Sequence, residues 1–516
     1  MWSADAHGQS AAEGILPILE ISTGGQTILD EAKIDVGLTI TERSSINAQR
    51  EISFDGHAGI EIRGRSSSNF AKTGYGLETR DENGENLNVP LLGLPRENDW
   101  VLHGPYADKS LIRNALTYEV AQSLGNYAPR TRFVELLIDD EYQGVYLFTE
   151  KVKRDKNRVK LQENTPSSLD LSGGYLFQIN FDLDHPQAGW KSRISYRPDI
   201  QTFSEYSFVY PKAEDISSHQ AAYIETWMHD LEELLVSPNF ADPSIGYPSK
   251  IDIESWIDYI LINELSRDVD AYRGSTFLVK KADALGGKLH AGPVWDHNFS
   301  YGNSDYCGDQ TVEGLAIEFE GVCQWGVAAI IFAKVWEDPT FRKKAAERWF
   351  SLRQNKLGPD LFTKLDSLGD LLQEPAKRNF KRWPVLDTYL WPNAYIGKSH
   401  QDELQYLGNW ITKRLEWLDN HFSQELSIPS FTNSGAQISP NPSSALARPH
   451  IRLEHSTIFE FDIDVYHING SFINSFKATP SERYIPIPLK LLPGTYIVTF
   501  QIDRNTERDF FKLVVQ

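Results

Sequence analysis

The stretch DVDAYRGSTFLVKKADALGGKLHAGPVWDHN, residues 268–298, decides how this chain is read. It opens on Asp268 and Asp270, runs through Ser275–Lys281, turns at Leu285-Gly286-Gly287 and returns through Lys288–Val294 to Asp296 and Asn298. Two β-prone runs around a glycine pair predict a hairpin. A hairpin returns the chain to its start, so Asp270 and Asp296 are expected at one edge. A carboxylate among Val294, Trp295, Phe299 and Tyr301 is costly unless something compensates its charge. Asp296 and Asn298 offer hard oxygen donors of the kind that suits Mg²⁺ or Mn²⁺ and not zinc. An aspartate after a strand is also a common cap or turn former, so the spacing leaves both roles open.

Working outward, Asp252–Asp268 reads as a helix with Asp252 as N-cap. A helix, a loop aspartate, a hairpin and a second aspartate form the layout that protein kinases use: one aspartate orients the acceptor hydroxyl and the other holds Mg²⁺ on the ATP phosphates. Upstream, residues 15–80 read as short β segments, the clearest being GIEIR, Gly59–Arg63, which breaks into RGRSSSNF. That loop holds one glycine, Gly64, and lacks the Walker spacing. Ser110–Gly125 and Ser218–Ser237 read as amphipathic helices, and Phe133–Ile138 with Val145–Val152 as a hairpin. Helices dominate beyond residue 325, one starting at Asp338-Pro339 and another covering Gln401–Phe422. Trp383, Trp391, Trp410 and Trp417 stand at helical spacing, which favours core packing over a sugar platform. Asp108-Lys109-Ser110 and Arg113-Asn114 fit a capped helix start. His297 is expected at the surface, because it alternates with apolar neighbours if the backbone is extended, and Asp268 is expected as a helix-end residue.

The character changes near residue 425, where ELSIPSFTNSGAQISPNPSSALARP has few large apolar residues and reads as a linker. FEFDIDVYHINGSF then alternates strictly up to Asn469-Gly470, a hairpin signal, and further short strands follow. The boundaries drawn are N-terminal β segments over 1–54, a main domain over 55–424, a linker over 425–437 and a small antiparallel β-sandwich over 438–516. The net charge of −20 argues against nucleic-acid binding, which needs a basic face. No apolar run approaches the ~20 residues of a membrane helix. The first 14 residues, MWSADAHGQSAAEG, show no signal-peptide pattern. The two cysteines, Cys307 and Cys323, are read either as one disulfide or as two inert thiols.

Wording is more specific than spacing. GIEIRGRSSSNFAKTGYGLETRDENG, LLGLPRENDWVLHGPYADKSLIRNALTYEVAQSLG, YAPRTRFVELLIDDEYQGVYLFTEKVKRDKNRVKL, NELSRDVDAYRGSTFLVKK and GKLHAGPVWDHNFSYGN, in that order, resemble the CotH kinase family over roughly residues 55–305. The resemblance implies an α+β, atypical protein-kinase-like fold with a helical C-terminal part, and phosphorylation of protein Ser/Thr with ATP and a divalent metal. Carried over, Asp270 takes the acceptor-orienting place and Asp296 the metal place. Asn298 stands where family members often carry a second aspartate. Arg63, Lys72, Glu150 and Lys151 become candidates for nucleotide contact. Ser275 occupies the position where a kinase carries asparagine, which weakens a second metal site.

The C-terminal segment, through ISPNPSS, NGSF, LLPGTYIV and FKLVVQ, resembles the type IX secretion sorting domain of Bacteroidota. That implies a secreted or cell-surface protein handled by the type IX secretion machinery. It favours a Cys307–Cys323 disulfide and calls for a signal peptide that residues 1–14 do not show. Two functions follow: a secreted metal-dependent kinase acting on a protein substrate, or a non-catalytic binding or adhesion protein on a kinase-like scaffold. Loss or retention of ATP–metal binding separates them.

Overall fold

The computed structural model describes residues 14–30, 32–44, 49–64, 70–180, 187–195, 203–321 and 328–426, together with 436–439, 450–453, 461–467, 471–478, 484–487, 494–500 and 509–515. Helix and sheet are mixed, and the chain divides into two compact units, Met1–Asp338 with Asn355–Leu415, and Pro339–Gln354 with Glu416–Gln516.

The first unit begins with seven strands: β1 (Ile18–Ser22), β2 (Ile34–Arg43), β3 (Arg50–Arg63), β4 (Gly74–Arg80), β5 (Asp99–His103), β6 (Thr131–Ile138) and β7 (Glu141–Glu150). They close into a barrel in the order β1-β2-β3-β4-β5-β7-β6, with β1 antiparallel to β2 and parallel to β6. The expectation of short β segments over 15–80 is corrected here, since β2 has 10 residues and β3 has 14. Alternation along these strands turns Leu19, Ile21, Leu38, Ile60, Trp100, Leu102, Leu136 and Phe148 inward as one core, which fixes their register. β6 and β7 join through Asp139 and Asp140, both left-handed (φ 46° and 63°), as a two-residue hairpin turn requires.

The first helix, α1 (Arg113–Ser123), follows β5 and is almost wholly buried. Asp108 holds its start: its carboxylate accepts from the Arg113 backbone N–H at 2.9 Å and the Arg113 guanidinium at 2.5 Å. Asp108 thus satisfies one N–H of the first turn from a distance, while the N-cap residue itself, Ile112, carries no side-chain cap and the helix begins at Arg113 and not Ser110. A second sheet, ordered β12-β11-β8-β10-β9, holds β8 (Tyr175–Asn180), β9 (Gly189–Lys191), β10 (Glu205–Tyr210), β11 (Thr276–Lys280) and β12 (Leu289–Ala291). The decisive hairpin is β11–β12. Before it come α2 (Ser218–Leu235), opened by a Ser217/Gln220 capping box, and α3 (Ile253–Ser266), whose Asp252 cap accepts from the Ser255 N–H at 3.0 Å. α4 (Ile330–Glu337) follows. After α5 (Pro339–Arg353), of the second unit, come α6 (Pro359–Arg382) and α7 (His400–Leu426). α6 meets the barrel through Arg378, whose guanidinium donates to both oxygens of the buried Glu135 at 2.7 and 2.9 Å. Of the four tryptophans at helical spacing Trp410 is buried as expected, but Trp391 is 46% exposed.

In the second unit, Trp349 and Arg353 of α5 donate to Asp419 of α7. Its strands are β13 (Ala436–Ser439), β14 (His450–Leu453), β15 (Phe461–His467), β16 (Phe472–Ala478), β17 (Tyr484–Pro486), β18 (Gly494–Phe500) and β19 (Asp509–Val515). They form two antiparallel sheets, β13-β14-β17 and β16-β15-β18-β19. The expected pairing of β15 with β16 is present, while the Asn469-Gly470 turn lies outside the described residues. So does most of the expected linker. Cys323 also lies outside them, and with it the question of a Cys307–Cys323 bridge.

Candidate active site

The site is assembled where α3 ends. Arg267 is left-handed (φ 49°) and releases residues 268–275 as a loop. The last turn of α3 is held rigidly: Glu264, fully buried, accepts from the backbone N–H of Ala316 and Ile317, and the Arg414 guanidinium donates to the Glu264 carbonyl at 2.7 Å. The hairpin register pairs Leu278 with Ala291 and Lys280 with Leu289. Its turn therefore lies at one end, and Asp270 and Asp296 lie beyond the other.

Asp296 is itself left-handed (φ 66°), a costly conformation for a non-glycine residue that surrounding contacts must hold. α1 supplies those contacts. The Asp296 N–H donates to Tyr118 Oη at 3.0 Å, and the His297 N–H donates to Asn114 Oδ1 at 2.6 Å. Trp295 stacks on Tyr118, ring centroids 6.1 Å apart. The left-handed turn also corrects the expectation for His297. Alternation holds only for an extended backbone, and here His297 turns inward, 1% exposed. Its Nδ1 lies 3.2 Å from Ser266 Oγ at the end of α3, and burial pushes its pKa down to about 3, so it is neutral.

Three carboxylates share this edge. Asp268 is 3% exposed, and its Oδ1 has no hydrogen-bond partner. Burial raises its pKa well above the usual range, and Asp270, Asp296 and Asp309 raise it further. Asp270 is raised by burial and eased by the Arg273 guanidinium. Asp296 is pushed up to about 6 by burial and by Asp270, against the pull of Arg63. Asp309, fully buried, is pushed up to about 7; one oxygen accepts from the Ser304 N–H at 2.8 Å and Oδ1 is unpartnered. Arg63 lies over the Trp295 ring at 5.3 Å, and its Nη1 and that of Arg273 are buried without partners. Mutual repulsion among desolvated carboxylates with open oxygens fits a divalent cation. Among the described residues no three His, Cys, Asp or Glu side chains form a cage of their own. Mg²⁺ takes one or two protein carboxylates and completes its shell with phosphate oxygens and water. Asn298, 8% exposed, adds a side-chain amide close by in sequence; its backbone carbonyl accepts from Asn303 Nδ2.

The nucleotide candidates separate into two groups. Arg63 and Lys151 line one small cavity of about 180 Å³ with Lys33, Glu61, Asp99 and Trp100. Lys72 is elsewhere engaged: 1% exposed, it donates to the Val145 carbonyl at 2.5 Å and to Asn379 Oδ1 at 2.7 Å, and burial lowers its pKa well below the usual value. It ties the barrel to α6. Glu150 is fully buried and accepts from the backbone N–H and guanidinium of Arg130 and from Tyr127 Oη, closing the end of β7. Residues 65–69 of the glycine-containing loop lie outside the described residues. Sequence reasoning missed Asp268 as a member of the acidic group, read Asn114 only as part of a helix start, and missed Arg273, Asp309, Lys33 and Tyr118 altogether. Only the DVD and YRG spelling next to Asp270 could have pointed to Asp268 and Arg273.

A family model described as CotH kinase protein matches residues 60–418. No curated protein matches the chain. Among solved structures, a crystal structure of a Helicobacter pylori proinflammatory kinase, CtkA, aligns with 68% of this chain and 95% of its own, at 8% identity and a TM-score of 0.24. That likeness is too slight to carry an argument.

Proposed function

The chain belongs to the CotH kinase family, and on that premise we propose that it is a divalent-metal-dependent protein kinase that transfers phosphate from ATP to Ser/Thr hydroxyls. The observation that carries this reading is the edge where Asp268, Asp270 and Asp296, desolvated and mutually repelling, meet the unpartnered donors of Arg63 and Arg273. A bound Mg²⁺ or Mn²⁺ would neutralise the charge of the phosphates. Asp296 would hold it, with Asn298 and Asp268 as the further oxygen donors. Asp268 thereby replaces the asparagine that Ser275 does not supply. Asp270, on its loop between Arg267 and the hairpin, orients the acceptor hydroxyl and takes its proton. Arg273 favours the ionised form of Asp270 against the burial that raises its pKa. Arg63 and Lys151 offer positive charge to the phosphates, while Lys72 and Glu150 hold the barrel that carries them. We further propose that the protein is exported by type IX secretion through its C-terminal sheets, works outside the cell or at its surface, and carries the Cys307–Cys323 disulfide.

ATP with Mg²⁺ or Mn²⁺ should stabilise the protein by about 2.7 kcal/mol at a hundredfold excess over the dissociation constant. Labelled phosphate should pass to a generic acceptor protein. Stabilisation without any transfer, across a panel of secreted proteins, would favour the non-catalytic scaffold instead.

A further inference from the structure

One cleft of the first unit is lined by none of these carboxylates. It has a volume of about 580 Å³ and is formed by the C-terminal end of α1 with Gly125–Tyr127, the segment Asn157–Lys160, one side of α3 and the hairpin at Val279, Lys281 and His290. Most of its lining stands apart from the loop that carries the carboxylates. Ser255, Tyr259 and Ile262 line it from the body of α3, whereas Asp268 and Asp270 follow the end of that helix. Val279 and His290 line it within β11–β12, and Pro293 and Val294 carry the lining past the open end of that hairpin to within two residues of Asp296.

The lining has a consistent chemistry. Its basic members are Arg158, Lys160, Lys281 and the imidazole of His290, and it contains no carboxylate, in a chain whose net charge is −20. Two acids beside it are already engaged: Asp252 with His290 at 3.5 Å and with the Ser255 N–H, Asp258 with Asn126 Nδ2 at 2.9 Å. Arg158 is 2% exposed; its Nη1 donates to the carbonyls of Asp99 and Lys151, and its Nε and Nη2 donate to nothing. Glu97 and Glu150 stand 3.3 and 3.7 Å from it and balance its charge. The free positive charge therefore comes from the two lysines at the mouth. Behind them Ile262, Val279, Pro293 and Val294 supply apolar wall. A cavity of several hundred Å³ with apolar walls and a few convergent polar groups is the usual form of a small-molecule site.

We infer that this cleft is a second ligand site, distinct from the catalytic edge, that takes a small organic anion with a flat apolar body. The volume suits a molecule of two or three rings, the lysines hold its carboxylate, phosphate or sulfonate group, and the chain's overall negative charge makes the cleft the local exception that such an anion finds.

The probe is 1-anilinonaphthalene-8-sulfonate, titrated into the full chain and followed by its fluorescence. Saturable binding to a single site is expected, weakening with salt. The double variant Lys160→Glu/Lys281→Glu should lower the affinity at least tenfold with an unchanged thermal midpoint. N-phenyl-1-naphthylamine, which has the rings without the sulfonate, should bind at least tenfold more weakly than the sulfonate. As a second variant, Gln122→Trp should abolish binding by filling the cleft. Saturating ATP with Mg²⁺ should leave the probe in place. Equal affinity in the double variant and the wild type would overturn the assignment, and so would displacement by ATP, which would put the probe in the catalytic cleft.

Discussion

At the scale of single residues, burial and charge decide which groups do chemistry. Asp296→Ala should abolish the stabilisation by ATP and metal, because the ligand oxygens are gone. Asp270→Asn keeps shape and volume but cannot accept the hydroxyl proton. Its metal–ATP affinity, read by calorimetry, should stay within a few-fold while phosphate transfer falls by roughly 10²–10⁴; equal loss of binding in both variants would make Asp270 a ligand. Asp309 gives a prediction in pH. Its folded pKa, about 7, lies above the ordinary 3.8, so the native state binds the proton more tightly than the unfolded chain does. The resulting stability is complete below about pH 3.8 and is lost as pH rises through 7. Asn keeps the acceptor for the Ser304 N–H and does not titrate. Asp309→Asn should therefore match the wild type near pH 4 and exceed it by roughly 2–4 kcal/mol at pH 8 in denaturant titrations without metal. A constant difference across that range would assign the effect to packing. The meeting of Asp270 and Asp296 at one edge was legible in the sequence because a hairpin is a local device whose ends must meet. Lys72 was not, because a lysine after a polar loop gives no sign that its ammonium will be buried between the Val145 carbonyl and Asn379, 307 residues away.

At the scale of elements, the joints between barrel and helices carry the buried charges. Glu135 on β6 is fully buried; Arg378 on α6 and Tyr142 Oη are its partners. Breaking the pair leaves an uncompensated carboxylate in the interior, so Arg378→Leu should cost about 3–5 kcal/mol in equilibrium unfolding. The double variant Glu135→Leu/Arg378→Leu removes both charges and should recover most of that loss. Additive costs would mean that the two side chains act independently. The β6–β7 and β11–β12 hairpins were readable from alternation and turn residues, as was α3 from its Asp252 cap, whereas β8, β9 and β10 were not read. The closure of the barrel was not, since it rests on β1 lying parallel to β6, a pairing of Ile18 with Glu135 that no local pattern announces. His297 was misread for a related reason: one left-handed residue, Asp296, reverses the side to which the next side chain points.

At the scale of the whole molecule, the question is whether the second unit serves the chemistry. Every residue assigned to the candidate site, from Arg63 to Asp309, belongs to the first unit, and so do Glu264 and Arg414, which hold the end of α3 in place. The C-terminal sheets contribute none of them. The serine-, proline- and asparagine-rich sequence between Leu426 and His450 offers few apolar side chains to bury and is the natural place for a protease to enter. Limited proteolysis should therefore cut between about residues 427 and 449 and release a fragment that begins near Met1 and retains α7. That fragment should bind ATP with Mg²⁺ as the full chain does, within a few-fold by calorimetry, and should transfer phosphate to a generic acceptor at the same rate. The division of the chain puts α5 and the end of α7 with the C-terminal sheets, so cleavage inside that unit has a second readout. If the fragment keeps its affinity but loses thermal stability, the sheets brace the helices without touching the chemistry. Loss of nucleotide binding on the same cut would instead make the second unit part of the site, and the boundary between catalysis and export would have to be drawn elsewhere.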